Sequence, residues 1–260
     1  YGDAVIATKR QLVDTILYSA ATAPGNVKLL LLMDMDYGAT VVDKSLKLHN
    51  ATNSNSDGQA LSPRMFGMAH SLTYGSSAGQ FSVADHADFT FGNGATDSPF
   101  SVLVVARPTV TGSQYFLSKY DQTTASKQME WTLRIEGSKL NFWLEDTGQA
   151  GSIGRSYNTA LDDRTAPHIY VATYSGSAVH TGIKLYRDGT QVDDTNASGG
   201  GAYTAMGNKT SAVGNFQTNS AGTINASDGV YMAAMVISEE LTAAQVTRLT
   251  LMFQAYLGVS

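Results

Sequence analysis

The chain has 260 residues, of which only 15 % are charged, and a formal net charge of −5. It contains no run of Lys or Arg, so the basic footprint that grips nucleic-acid phosphates is missing. The absence of cysteine excludes disulfides, thiolate metal sites and Cys nucleophiles, and the longest apolar run, Val27–Met33, is far too short to cross a bilayer.

In chain order, the first predicted element is a helix over Ala4–Tyr18 with Asp3 as its N-cap, because Val5, Ile6, Leu12, Val13, Ile16 and Leu17 recur at helical spacing. Val27–Met33 is a continuous apolar run, as expected of a strand buried on both faces. Residues 50–63 read as a surface loop, and Phe100–Ala106 as a second buried strand that stops at Pro108. Gly137-Ser138 between EWTLRIE and KLNFWLE reads as a hairpin turn. Asp188-Gly189 between LYR and TQV reads as another, since both residues tolerate positive φ. His168–Tyr174, Ile183–Tyr186 and Val230–Ile237 complete the strands, and residues 194–201 read as a loop. A closing helix opens at Thr242 with Gln245 three residues on, a capping box, and ends at Gly258. A dozen or so strands between two terminal helices imply one all-β two-sheet sandwich, with 1–26 as an N-terminal helical segment and 27–260 as the sandwich domain.

The hairpin at Gly137-Ser138 fixes a register. Pairing Glu136 with Lys139 sets Arg134 against Asn141, Thr132 against Trp143 and Glu130 against Glu145. Trp131, Leu133, Ile135, Leu140, Phe142 and Leu144 then form the inner row. The outer row of Glu130, Thr132, Arg134, Asn141, Trp143 and Glu145 offers a flat aromatic platform among hydrogen-bonding groups, which is what a sugar ring requires. The alternative is a solvated face whose Trp packs beneath a loop or a partner. Like charges directly across a hairpin are unfavourable, so Glu130 and Glu145 call for a compensating cation, such as Arg155, or a raised pKa. Such a pair at about 5–5.5 Å is also the spacing of a retaining glycosidase. The five His residues show no metal-ligand spacing, and no nucleophile elbow or phosphate loop occurs. The sequence starts at Tyr1 without a signal peptide, so it is expected to derive from a longer or processed chain.

Five stretches in order carry a family resemblance: LLLLMDMDYGATVVDKS, HSLTYGSSAGQFSVADHADFTFGNG, SPFSVLVVARPT, GIKLYRDGTQV and VYMAAMVISEELTAAQVTRLTLMFQAYLG. Together they resemble the laminin-G-like jelly-roll family of the concanavalin A-like lectin/glucanase superfamily, in its phage-encoded type. The chain departs from it at Val105, where the family often has Trp, and at Ala233, where an acidic residue is common. The resemblance implies a jelly-roll sandwich with a structural calcium near acidic loops, for which Asp34 and Asp228 are the candidates. It also implies a non-enzymatic structural or adhesive module on a virion surface or outside the cell, a capsid decoration or fibre-type accessory protein. Its partners would be other virion proteins, further copies of itself and host surface glycans. The alternatives are a carbohydrate-binding module of a secreted bacterial enzyme or adhesin, and a glycoside hydrolase or lyase using Glu130 and Glu145. The Glu-x-Asp-x-x-Glu set of the laminarinase-like members is absent, as are the strand motifs of the alginate lyases.

Overall fold

The computed structural model describes residues 11, 13–18, 22–33, 39–54, 61–66, 69–74, 80–108, 113–123, 127–161, 163–221, 223–226 and 228–257. The first strands in the chain are β1 (Val27–Leu32), β2 (Thr40–Val41), β3 (Ala51–Ser54), β4 (Leu61–Phe66), β5 (Ala69–Tyr74) and β6 (Gln80–Val83). Then come β7 (Phe100–Pro108), β8 (Gln114–Asp121), β9 (Gln128–Glu136), β10 (Lys139–Glu145), β11 (Gly151–Ser156) and β12 (His168–Tyr174). The last are β13 (Ile183–Arg187), β14 (Thr190–Gln191), β15 (Thr195–Gly200), β16 (Val213–Gly214), β17 (Phe216–Thr218), β18 (Ile224–Ala226) and β19 (Gly229–Ile237).

They form two sheets of a jelly-roll sandwich. One runs β14-β13-β12-β7-β19-β5-β4 with β1 also on β19. The other runs β15-β11-β10-β9-β8-β16-β6-β3-β2, with β17 and β18 beside β8. The first sheet is covered on both faces, which is why its strands are continuous apolar runs rather than alternating ones. One face, with Leu29, Leu31, Val102, Val104, Tyr170 and Val236, meets Trp131, Leu133, Ile135, Leu140, Phe142 and Leu144 of the second sheet. The other, with Leu30, Leu103, Val105, Ile169 and Met235, meets Val246, Leu249, Phe253 and Leu257 of the C-terminal helix Ala243–Leu257, together with Ile16 and Leu17. The helical residues 13–18 therefore cover this sandwich, while Asp3 and residues 4–10 lie outside the described residues.

Local chemistry sets the element ends as expected. Gly137 and Ser138 have φ of 57° and 64°, and Asp188 and Gly189 have 51° and 80°, the positive pair that matches a tight turn to the twist of its strands. At the closing helix, Gln245 Oε1 accepts from the Thr242 amide at 2.9 Å, and Thr242 Oγ1 accepts from the Gln245 amide at 3.3 Å. Two expected loops are partly strand. Ala51–Ser54 pairs with β6, and Thr195–Gly200 pairs with β11 over its whole length. Both are built from small polar residues with no apolar alternation, so only pairing with a neighbour reveals them.

Candidate functional site

The helix-free side of the second sheet carries a cleft of about 460 Å³. Its floor is the β9–β10 hairpin, whose observed register is the predicted one: Glu136 with Lys139, Arg134 with Asn141 and Thr132 with Trp143. Trp143, Arg134 and Glu145 line it, joined by Tyr115 and Tyr120 from β8. Trp143 is half-buried and outside both apolar cores. Gly154 stands opposite it on β11, where a methyl group would come within 3.1 Å of the indole Cδ2 and 2.7 Å of the Phe142 carbonyl oxygen. A glycine therefore seats the indole across the strand. Arg134 Cζ lies 5.5 Å from the ring centroid, within cation–π range, and Arg134 Nη2 donates to Glu136 Oε2 at 2.7 Å.

Glu145 is fixed from below by the Tyr120 hydroxyl, which donates to Oε1 at 2.7 Å. Burial raises the Glu145 pKa, opposed by that hydrogen bond and by Arg134. Burial and the neighbouring carboxylate push the Tyr120 phenol the same way, so it stays a donor. The cleft thus combines a partly exposed aromatic face, carboxylates at Glu136 and Glu145, and cations at Arg134 and Lys127.

The rest of the expected row is placed differently. Asn141 is buried, with Nδ2 donating to the Lys139 carbonyl at 2.7 Å and Oδ1 accepting from Ser156. Thr132 is fully buried and does not reach the cleft. Glu130 is the main correction. The β8–β9 register shifts between Lys119–Trp131 and Tyr120–Met129, so Glu130 sits at a β-bulge and leaves the outer row. It is fully buried and ion-paired with Lys119, and it accepts from the Lys209 amide at 2.8 Å and from Thr90 Oγ1 at 3.3 Å. The Glu130–Glu145 pair expected on one surface therefore does not exist. Lys119, rather than Arg155, supplies the counter-charge, and Arg155 binds Asp193 at 2.7 Å. The bulge also brings Met129 to the cleft wall in Glu130's stead.

Tyr115, Tyr120, Gln122, Met129, Gln149 and Gln217 are cleft residues that the sequence reading did not single out. The alternation of QYFLSKYD could have exposed the two tyrosines, but a second bulge between Tyr115 and Leu117 blurs it. Of the two calcium candidates, Asp34 lies outside the described residues. Among the described residues, Asp228 Oδ1 is buried without a hydrogen-bond partner, and burial raises the Asp228 pKa. A Ca²⁺ ion takes six to eight such oxygens.

These features define a two-sheet jelly-roll sandwich with an open polar-aromatic cleft on its second sheet. Among solved structures, the fold is similar to the binding domain of Paraclostridial Mosquitocidal Protein 1, with a TM-score of 0.60 and 12 % identity over 89 % of this chain and 52 % of that one. It is also similar to the ligand-binding domain of botulinum neurotoxin serotype D in complex with N-acetylneuraminic acid, with a TM-score of 0.58 and 13 % identity over 89 % of this chain and 52 % of that one. A third is a Trypanosoma rangeli sialidase, with a TM-score of 0.60 and 13 % identity over 90 % of this chain and 34 % of that one. The chain thus spans about half of the two binding domains (52 % of each). No family model and no curated protein sequence matches it.

Proposed function

We propose that this protein is a non-enzymatic adhesive module that holds a glycan against Trp143. The observation that carries this reading is the half-buried indole, seated on Gly154 and flanked by Arg134 and Glu145 at the floor of an open cleft. A sugar ring offers an apolar face to such a platform and hydroxyls to the surrounding carboxylates and amides. The likeness to a toxin binding domain in complex with N-acetylneuraminic acid supports the same reading. With Glu130 turned inward to Lys119, Glu145 lacks the facing carboxylate that a hydrolase reading required. The setting we propose, on the family resemblance, is the surface of a phage particle, where the module also binds other virion proteins or copies of itself. Its detection by mass spectrometry in purified particles, and its absence from the lysate supernatant, is the expected result there.

The binding claim is tested on a glycan array followed by calorimetry. Trp143→Ala is expected to weaken any glycan hit by about 2 kcal/mol or more, roughly 30-fold in Kd, with an unchanged circular dichroism spectrum. Undiminished affinity in that variant would sink the assignment. We further propose that Asp228 contributes to a structural Ca²⁺ site. Added Ca²⁺ should then raise Tm, and Asp228→Asn should remove the response. A Tm indifferent to millimolar Ca²⁺ would overturn this part.

A further inference from the structure

Outside the cleft lining, His49, His86 and Asp88 bring one ligand atom each to within 4.8 Å of one another. His49 follows the turn after Asp43, and Asp88 lies in a single 3-10 turn, Ala87–Phe89, whose N-cap is His86. His86 and Asp88 are two residues apart in the sequence, and His49 joins them only through the fold.

The arrangement is built rather than incidental. Asp43 is buried and accepts from the amides of Leu30 at 2.9 Å, Ser45 at 2.8 Å and His49 at 2.8 Å, which pins the backbone that carries the first imidazole. The His49 ring packs on Phe89 with centroids 4.9 Å apart, which sets its direction. Its Nε2 then stands 3.0 Å from Asp88 Oδ2, and His86 Nδ1 stands 3.4 Å from the same oxygen. Two ligands bonded at about 2.0–2.1 Å to a tetrahedral zinc ion stand about 3.3 Å apart, so the 3.4 Å spacing matches an edge of that tetrahedron and the 3.0 Å hydrogen bond has only to open slightly.

His86 Nδ1 accepts the Asp88 amide at 3.1 Å, which leaves that nitrogen without a proton. A cation bound to that nitrogen and to Asp88 Oδ2, 3.4 Å away, would replace the amide hydrogen bond. Lys28 and Lys47 approach the other oxygen, Oδ1, each at 3.5 Å, so Oδ2 is the atom left for the histidines. The His86 side chain is 52 % exposed, so water reaches the cluster to complete the fourth position.

We propose that His49, His86 and Asp88 form a binding site for a borderline divalent cation of the Zn²⁺ type, with two imidazoles, one carboxylate oxygen and water as ligands. The ion would clamp the turn leading into β3 to the 3-10 turn at Ala87–Phe89, so it would stabilise the β6-β3-β2 end of the second sheet. The two lysines oppose its charge, so their removal should tighten binding.

The test is calorimetric titration of chelator-treated, full-length protein with ZnCl₂ at pH 7.5, with Co²⁺ absorption as a reporter of geometry. The expected result is saturable binding of one ion per chain, visible bands of a four-coordinate Co²⁺ site and a rise in Tm. His86→Ala should abolish all three while retaining the wild-type circular dichroism spectrum, because that side chain is half-exposed. Lys47→Gln should lower Kd, and His168→Ala, at another cluster, should leave it unchanged. No saturable binding by the wild type, or equal binding by His86→Ala, would overturn the proposal.

Discussion

Lys119→Met is expected to destabilise the fold by about 3–5 kcal/mol at pH 8, because it strands the Glu130 carboxylate in the interior. Lys119 is fully buried, and its ammonium donates to Thr90 Oγ1 at 2.9 Å and pairs with both Glu130 and Asp85. The variant should also show a distinctive pH profile. Burial pushes the Glu130 pKa up to about 7 from 4.5, with Lys119 pulling it back. The folded chain therefore holds this proton more tightly than the unfolded one does. The group's contribution is most favourable below the unfolded value and is lost as pH rises through the folded value. Without Lys119 the folded pKa moves higher still, so the loss in the variant should be smaller at pH 5 than at pH 8. Urea denaturation at the two pH values checks this. Lys119→Met with Glu130→Gln should recover much of the deficit at pH 8, and a double variant no better than the single one would contradict the account.

Asp97→Ala should cost about 3–4 kcal/mol, since hydrogen bonds to a charged group each contribute about 1.5–3 kcal/mol and do not add fully. Asp97 Oδ2 accepts from the hydroxyls of Tyr174 and Tyr203, both at 2.6 Å, and Oδ1 accepts from the Met206 amide at 2.8 Å. Tyr174 also accepts from the Ala178 amide at 2.8 Å, so one carboxylate ties together three loops at one end of the sandwich. Burial, and then the bond to Asp97, raise both phenol pKa values, so both remain donors. Asp97→Asn keeps an acceptor oxygen and should lose only about half as much. Equal losses in the two variants, measured by thermal unfolding, would show that the hydrogen bonds are not what holds these loops.

What the residues reveal in order is the part of the molecule governed by local rules. Alternation along 131–135 and 140–144 identifies the inner row, and the positive-φ turns at Gly137-Ser138 and Asp188-Gly189 fix two registers. Trp143 follows from that register, because parity alone puts it opposite Phe142 and Leu144. Glu130 escapes the same argument, since a single bulge changes which way a side chain points. The bulge exists only because β9 pairs with a particular neighbour, β8, which lies earlier in the chain. Edge strand β15 is hidden for a related reason. Its glycines serve the neighbouring strand and the indole, and a Cβ at Gly199 would stand 3.0 Å from Ser152 Oγ and 3.7 Å from the Trp143 ring. Their meaning is therefore tertiary. His49 and His86 lie on segments that meet only when the second sheet is assembled.

The protein has two tryptophans, and the structure gives them opposite environments. Trp131 is fully buried, with Nε1 donating to the Phe89 carbonyl at 3.1 Å, whereas Trp143 lines the cleft and its Nε1 has no acceptor among the described residues. The two indole N–H resonances in a nitrogen-correlated NMR spectrum therefore provide an internal probe and an internal control. On titration with an oligosaccharide selected from the array, the Trp143 signal should shift saturably while that of Trp131 stays in place. A bound oligosaccharide that leaves the Trp143 signal unmoved would contradict a glycan site on this sheet.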